Sequence, residues 1–249
     1  QKALTYNPNL ALAYYRLGTI NLARRNTGTA KTYFLKAISI SDFNVLDNQD
    51  KSKCHYNLGK AYEWLGDNNQ AVANFQKSLN YDGNNFKALI SIGEIYYKTR
   101  QFNEAIQNLK KSIAIKDTYE ARFRLGKCYD TTGNFTSAIE EYKIAIDKKP
   151  NDYDALYNLG RAYAQTNQHS TAIENYEKAG KFNSFNAKLL VQIGNSYLAL
   201  KKYNEAMDSY KRAIENNSRE IQAYIGYARC LEQQNNLSSA VVYLTKGAD

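Results

Sequence analysis

Apolar and polar positions follow a helical rhythm along most of this chain. Around residue 160, Leu156, Leu159 and Tyr163 keep the spacing of one buried helical stripe, with polar residues between them. That pattern predicts a helix from about Tyr153 to Thr166. A second helix is predicted from about Ser170 to Phe182, opening on a residue able to cap free backbone N–H groups. The same pair of stripes recurs along the whole chain. Capping residues are expected at Asn69, Asn103, Thr136, Ser170, Asn204 and Ser238, with Gly28 as a weaker cap in the first copy. No alternating apolar run is long enough to predict a strand.

Fixed small residues lock this rhythm to a period. Leu17-Gly18, Leu58-Gly59, Ile92-Gly93, Leu125-Gly126, Leu159-Gly160, Ile193-Gly194 and Tyr227-Ala228 return almost always 34 residues apart. Twelve residues after each small residue stands an alanine: Ala30, Ala71, Ala105, Ala138, Ala172, Ala206 and Ala240. Glycine inside a helix costs about 1 kcal/mol relative to alanine. Its return in six copies therefore predicts a close helix crossing, with the alanines facing it. Tyr62, Tyr96, Tyr129, Tyr163 and Tyr197 occupy one equivalent site and read as core.

A 34-residue period with L-G, Y three residues on, then A, an aromatic and A or S, resembles the tetratricopeptide repeat family. The resemblance covers nearly the whole chain. It implies an all-α fold, a right-handed superhelical α-solenoid of antiparallel helix pairs, and a role as a protein-interaction scaffold.

On this reading residues 1–249 form a single array. Its repeats lie near 11–51, 52–85, 86–118, 119–152, 153–186, 187–220 and 221–249, and residues 1–10, with Ala3 and Pro8, are the end of a preceding repeat. Both ends are then expected to lie within a longer protein. Two irregularities break the period. Gly18 to Gly59 is 41 residues, a surplus of seven around Ser41–Lys51, expected to lengthen a turn or helix end without breaking the stack. Gly93 to Gly126 is 33, one short, near Lys116–Thr118.

Composition narrows the function classes. The apolar content of 43% is enough to fill seams between helices. No run of about 18 apolar residues predicts a membrane span. The three cysteines, an odd number, lie in non-adjacent repeats and read as small packed residues in a reducing, cytoplasmic setting. Much of the net charge of +9 recurs at one late position of the second helix, as in Lys36, Lys77, Lys111, Lys178, Arg212 and Lys246, and reads as a solvated face. His55 and His169 belong to no cluster with metal-ligand spacing, and no phosphate-binding glycine loop is present, so no catalytic residue, metal or cofactor is expected.

In the family that the chain resembles, the first helices line a concave face and bind extended segments. With Tyr153 as position 1 of its repeat, positions 5, 6 and 9 nominate Tyr56, Asn57 and Lys60 in the second repeat. The same positions nominate Phe123, Arg124 and Lys127 in the fourth repeat and Tyr157, Asn158 and Arg161 in the fifth. Aromatic surface beside cations suits a peptide with acidic and apolar side chains, and asparagine amides can bond its backbone. Lys127 and Arg161 are expected to line one wall together. A clamp for a terminal carboxylate, known in some members, is disfavoured: Lys53, Asn57 and Lys60 echo it, but Glu94 in the next repeat would repel a carboxylate.

The reading reached is a non-catalytic scaffold for protein segments, part of a multi-subunit assembly. The alternative is the repeat arm of a larger enzyme such as a protein glycosyltransferase. A ladder of asparagines at position 6 would favour that alternative, but only Asn57 and Asn158 occur there. Nucleic-acid binding is disfavoured, because Glu94, Glu120, Asp130 and Asp154 interrupt the basic face.

Overall fold

The structure, a computed structural model, describes residues 10–183 and 185–247. The expected end of a preceding repeat, residues 1–10 with Ala3 and Pro8, lies outside the described residues apart from Leu10. Among the described residues there are fourteen α-helices and no strand. They form two compact units, one ending at Asp117 and one beginning at Thr118. The first holds α1 (Ala11–Ala23), α2 (Thr27–Ser39), α3 (Asn48–Trp64), α4 (Asn68–Tyr81), α5 (Phe86–Lys98) and α6 (Phe102–Ile115). The second holds α7 (Tyr119–Thr131), α8 (Phe135–Lys148), α9 (Tyr153–Gln165), α10 (His169–Asn183), α11 (Ala187–Ala199), α12 (Tyr203–Asn216), α13 (Ile221–Gln233) and α14 (Leu237–Lys246). Consecutive helices pair, and within each unit every pair stacks on the next.

The close crossing at the six repeat glycines is real; its partner is an aromatic ring at five of them and Leu109 at Gly93. A Cβ added at Gly59 would stand 2.6 Å from the Phe75 ring, and at Gly126 2.7 Å from Tyr142. Phe34, Phe75, Tyr142, Tyr176 and Tyr210 are fully buried against these glycines. The alanines at the start of the second helices are buried as expected. At Gly93 and Gly160 an alanine backbone oxygen, Ala105 O or Ala172 O, would lie 3.3 Å or 3.1 Å from such a Cβ. The recurring Tyr62, Tyr96, Tyr129, Tyr163 and Tyr197 are half-buried at the rims of the apolar clusters, not sealed inside them.

The turn within each pair is set by backbone conformation. Arg25, Gly66, Arg100, Gly133, Asn167, Lys201 and Asn235 occupy one equivalent position, all with left-handed φ between 59° and 84°. The chain reverses at that residue, so the next residue already caps the second helix. Asp67, Asn134 and Asn236 accept hydrogen bonds from Gln70, Ser137 and Ser239 N–H. The caps expected at Asn69, Thr136 and Ser238, and at Asn103, Ser170, Asn204 and Gly28, lie inside the helices, two residues late.

The seven surplus residues fold without opening the stack. Ser41–Val45 make a 3-10 turn, and α3 starts at Asn48, earlier than its equivalents, capped by Asp47. Asp42 accepts a 3.3 Å bond from Ala11 N–H, tying the insert to α1. Phe43 is buried edge-on to His55 at 5.8 Å, and His55 stacks on Tyr81 at 5.6 Å. Ala37 of α2 and Cys54 and Leu58 of α3 share one core cluster, so these helices pack as expected. The missing residue of the third repeat shortens the α6–α7 connection to 116–118, where the two units meet in sequence.

Candidate functional site

The nominated residues sit on the exposed sides of first helices, in both units. In the first unit Tyr56 is half-buried, its ring 5.6 Å from Phe75. Asn57 Nδ2 donates to Thr19 Oγ1 at 3.4 Å, reaching back to the previous first helix. Lys60 Nζ bonds Glu63, which also meets Lys98 at 3.8 Å. Lys60 is thus neutralised locally.

In the second unit the aromatic positions come in stacked pairs. Phe123 lies parallel to Tyr119 at 5.6 Å, and Tyr157 parallel to Tyr153 at 6.0 Å, one helical turn apart. Below them the buried rings of Tyr142 and Tyr176 lie 5.9 Å from Phe123 and 5.8 Å from Tyr157. Burial, with a smaller contribution from Tyr153, pushes the Tyr157 phenol above its usual range, so it stays a neutral donor. Asn158 Nδ2 is occupied, donating to Asp154 O at 2.7 Å. Arg124 and Lys127 are half-buried on the same helix face.

Arg161, nominated for the groove, also meets a carboxylate of the protein. Its guanidinium pairs with Asp130, whose side chain is only 4% exposed. Asp130 lies on α7 and Arg161 on α9, so this pair bridges two neighbouring first helices. Arg161 thus joins two first helices of the protein itself while its side chain stays 43% exposed.

A cleft of about 700 Å³ opens beside Tyr157. Tyr153, Tyr157, Phe185, Lys188, Asn216 and Glu220 contribute to its lining. Asn186 caps α11 through Leu189 N–H at 2.9 Å and donates to Tyr153 OH at 2.9 Å, which holds that ring at the cleft wall. Phe185 reaches it because position 180 is glycine: a Cβ there would meet the Phe185 ring at 2.5 Å. Only Tyr157 of this lining was nominated from the sequence. Equivalent positions to Gly180 carry Ile38, Leu79, Ile113, Ile146 and Ile214, so the Gly180–Phe185 exchange was a readable signal.

The profile described as tetratricopeptide repeat matches residues 11–44, 52–85, 86–119, 109–153, 123–186 and 187–219, well over half of the chain. The chain belongs to the tetratricopeptide repeat family. It is 28% identical over 109 residues to anaphase-promoting complex subunit CDC16 of Saccharomyces cerevisiae, covering 44% of this chain and 13% of that protein. It is 27% identical over 127 residues to anaphase-promoting complex subunit 3 of Schizosaccharomyces pombe, covering 51% of this chain and 18% of that one. The chain thus spans under a fifth of either relative. Among solved structures, a MamA protein is similar with a TM-score of 0.64 and 28% identity, over 69% of this chain and 94% of that one.

The remaining chemistry of this tetratricopeptide repeat chain is quiet. Cys54, Cys128 and Cys230 are buried free thiols. Burial pushes Cys54 up to about 12 and the other two up to about 11, which disfavours the reactive thiolate. His55 is lowered by burial and Lys77, against a raising hydrogen bond with Asn74 at 3.1 Å. His169 is the half-buried first residue of α10, as its repeat position implied. Among the described residues no helix is long and apolar enough to cross a membrane.

Proposed function

We propose that this chain is a non-catalytic protein-interaction scaffold that takes extended segments along its first helices, as part of a multi-subunit assembly. The observation that carries the reading is the cleft at Tyr153, Tyr157 and Phe185, with Lys188 at its wall. Its aromatic lining offers apolar contact, and Lys188 at the cleft, with Lys127 on the first helix α7, offers charge-assisted bonds to an acidic residue, each worth about 1.5–3 kcal/mol when desolvated. An extended peptide with mixed acidic and apolar side chains meets both demands. The likeness to two anaphase-promoting complex subunits supports the assembly part. The buried thiols and the packed histidine support a role without bond-making chemistry.

The test is fluorescence anisotropy with a library of labelled acidic–apolar peptides on the full chain. The variant Lys127→Glu with Tyr157→Ala, checked by circular dichroism for a retained fold, should weaken the best binder at least tenfold. Lys188→Glu alone should weaken it less. Unchanged affinity in both variants would remove the groove from the proposal.

A further inference from the structure

The positive charge of this chain is not evenly shared. Residues 1–117 carry 16 lysines and arginines against 9 aspartates and glutamates, whereas residues 118–249 carry 17 against 15. Part of the excess collects at one edge of the first unit, where the turns within its three helix pairs lie side by side. Arg24 and Arg25 come from the first turn, Trp64 and Leu65 from the second, Lys98 and Arg100 from the third. Contacts join the three. The Arg25 guanidinium lies 4.6 Å from the centre of the Trp64 ring. Lys98 Nζ lies 3.8 Å from Glu63, beside Trp64.

This edge departs from an ordinary solvated surface in two ways. Trp64 and Leu65 are large apolar side chains 42% and 49% exposed, adjacent in sequence and placed among cations. The carboxylates there are already engaged: Glu63 by Lys60 and Lys98, Glu94 by Lys98, and Asp67 as the cap of α4. Arg24, Arg25 and Arg100 are exposed and make no ion pair among the described residues. Arg25 and Arg100 also hold left-handed φ of 63° and 62°, so backbone geometry as well as charge sets where these side chains leave the turn.

We propose that this turn edge is a second docking surface, distinct from the first-helix groove, for an acidic protein segment carrying one apolar anchor. Carboxylates of such a segment would pair with Arg24, Arg25 and Arg100, for which arginine's planar donor fork is suited. The anchor would lie on Leu65 and the edge of Trp64. A single-stranded nucleic acid fits less well. Its binding needs successive aromatic platforms for stacked bases, and this edge has one indole, whose face Arg25 already covers. Stacking also fixes the arginine and lowers the entropy lost on pairing.

The experiment titrates the full chain with a labelled synthetic peptide in which glutamates flank a single phenylalanine. Trp64 is the sole tryptophan of the chain, so its emission reports the site directly. Binding should shift that emission and weaken steeply as salt rises. The variant Arg24→Glu with Arg100→Glu should weaken anisotropy-detected binding more than tenfold, with an unchanged circular dichroism spectrum. The groove variant Lys127→Glu with Tyr157→Ala should leave the emission shift intact, which separates this surface from the groove. As a milder check, Arg24→Ala with Arg100→Ala should give an intermediate loss. No emission shift with the wild-type chain, no loss in the charge-reversed edge variant, or tighter binding of oligothymidylate than of the peptide would each overturn the proposal.

Discussion

Removing Arg161 separates a structural from a ligand-binding role for the cation that the repeat pattern placed in the groove. Asp130 is 4% exposed at its side chain and pairs with Arg161, whose own side chain is 43% exposed. Deleting one partner of a fully buried pair costs about 3–5 kcal/mol, because the other charge is left uncompensated. An exposed pair is worth about 0–1 kcal/mol. Here one partner is buried and the other is half open to water, so Arg161→Ala is expected to cost about 2 kcal/mol. Lys178→Ala, an exposed lysine on α10, should stay within about 0.5 kcal/mol, the usual range for a surface change. Urea unfolding of the full chain followed by circular dichroism measures both. The double variant Asp130→Ala with Arg161→Ala should be more stable than Arg161→Ala alone, since it removes the stranded carboxylate, and Ala164 already fills the position of Asp130 in the next repeat. Hydrogen exchange should locate the loss in α7 and α9. Equal stability of Arg161→Ala and Lys178→Ala would refute the bridging role and return Arg161 to the groove as a ligand cation.

Gly59→Ala would drive a Cβ to within 2.6 Å of the Phe75 ring and should cost about 1–3 kcal/mol in thermal unfolding. Gly28→Ala, with nothing within 4 Å, should instead stabilise by up to about 1 kcal/mol through helix propensity. Asn134→Ala should cost about 1 kcal/mol as a lost cap, whereas Thr136→Ala should change little; the reverse order would restore the cap position read from the sequence. Burial holds the folded pKa of His55 below its ordinary value of 6.5, so the unfolded chain binds its proton first. That contribution is complete above about pH 6.5 and is lost as pH falls from there towards the folded pKa. His55→Leu, the residue of the third repeat at Leu89, should flatten the melting temperature between pH 7 and 5, and an unaltered slope would assign the acid sensitivity elsewhere.

The helix pairs were legible in the sequence because their cause is local and repeated. A stripe such as Leu156, Leu159 and Tyr163 needs only helical geometry to define a buried face. Gly59 and Phe75 mark a crossing because a glycine and an aromatic residue recur at that distance in five of the seven copies. Cap positions were misread by two residues because the reversal is made by a single left-handed residue. Arg25, Arg100 and Lys201 adopt that conformation although their side chains do not announce it. Of the candidate site, the stacked rings at Phe123 and Tyr157 could be placed from repeat position alone. Whether a polar side chain at such a position faces a ligand or its own protein could not. Arg161 stands at a groove position in the repeat, yet it is bound to an aspartate 31 residues earlier. Phe185 enters a cleft only because Gly180 leaves room for its ring. Periodicity determines backbone path and core, since every copy solves the same packing problem. Tertiary structure alone decides the partner of each non-repeating side chain, because that depends on what the adjacent repeat happens to place within a few ångströms.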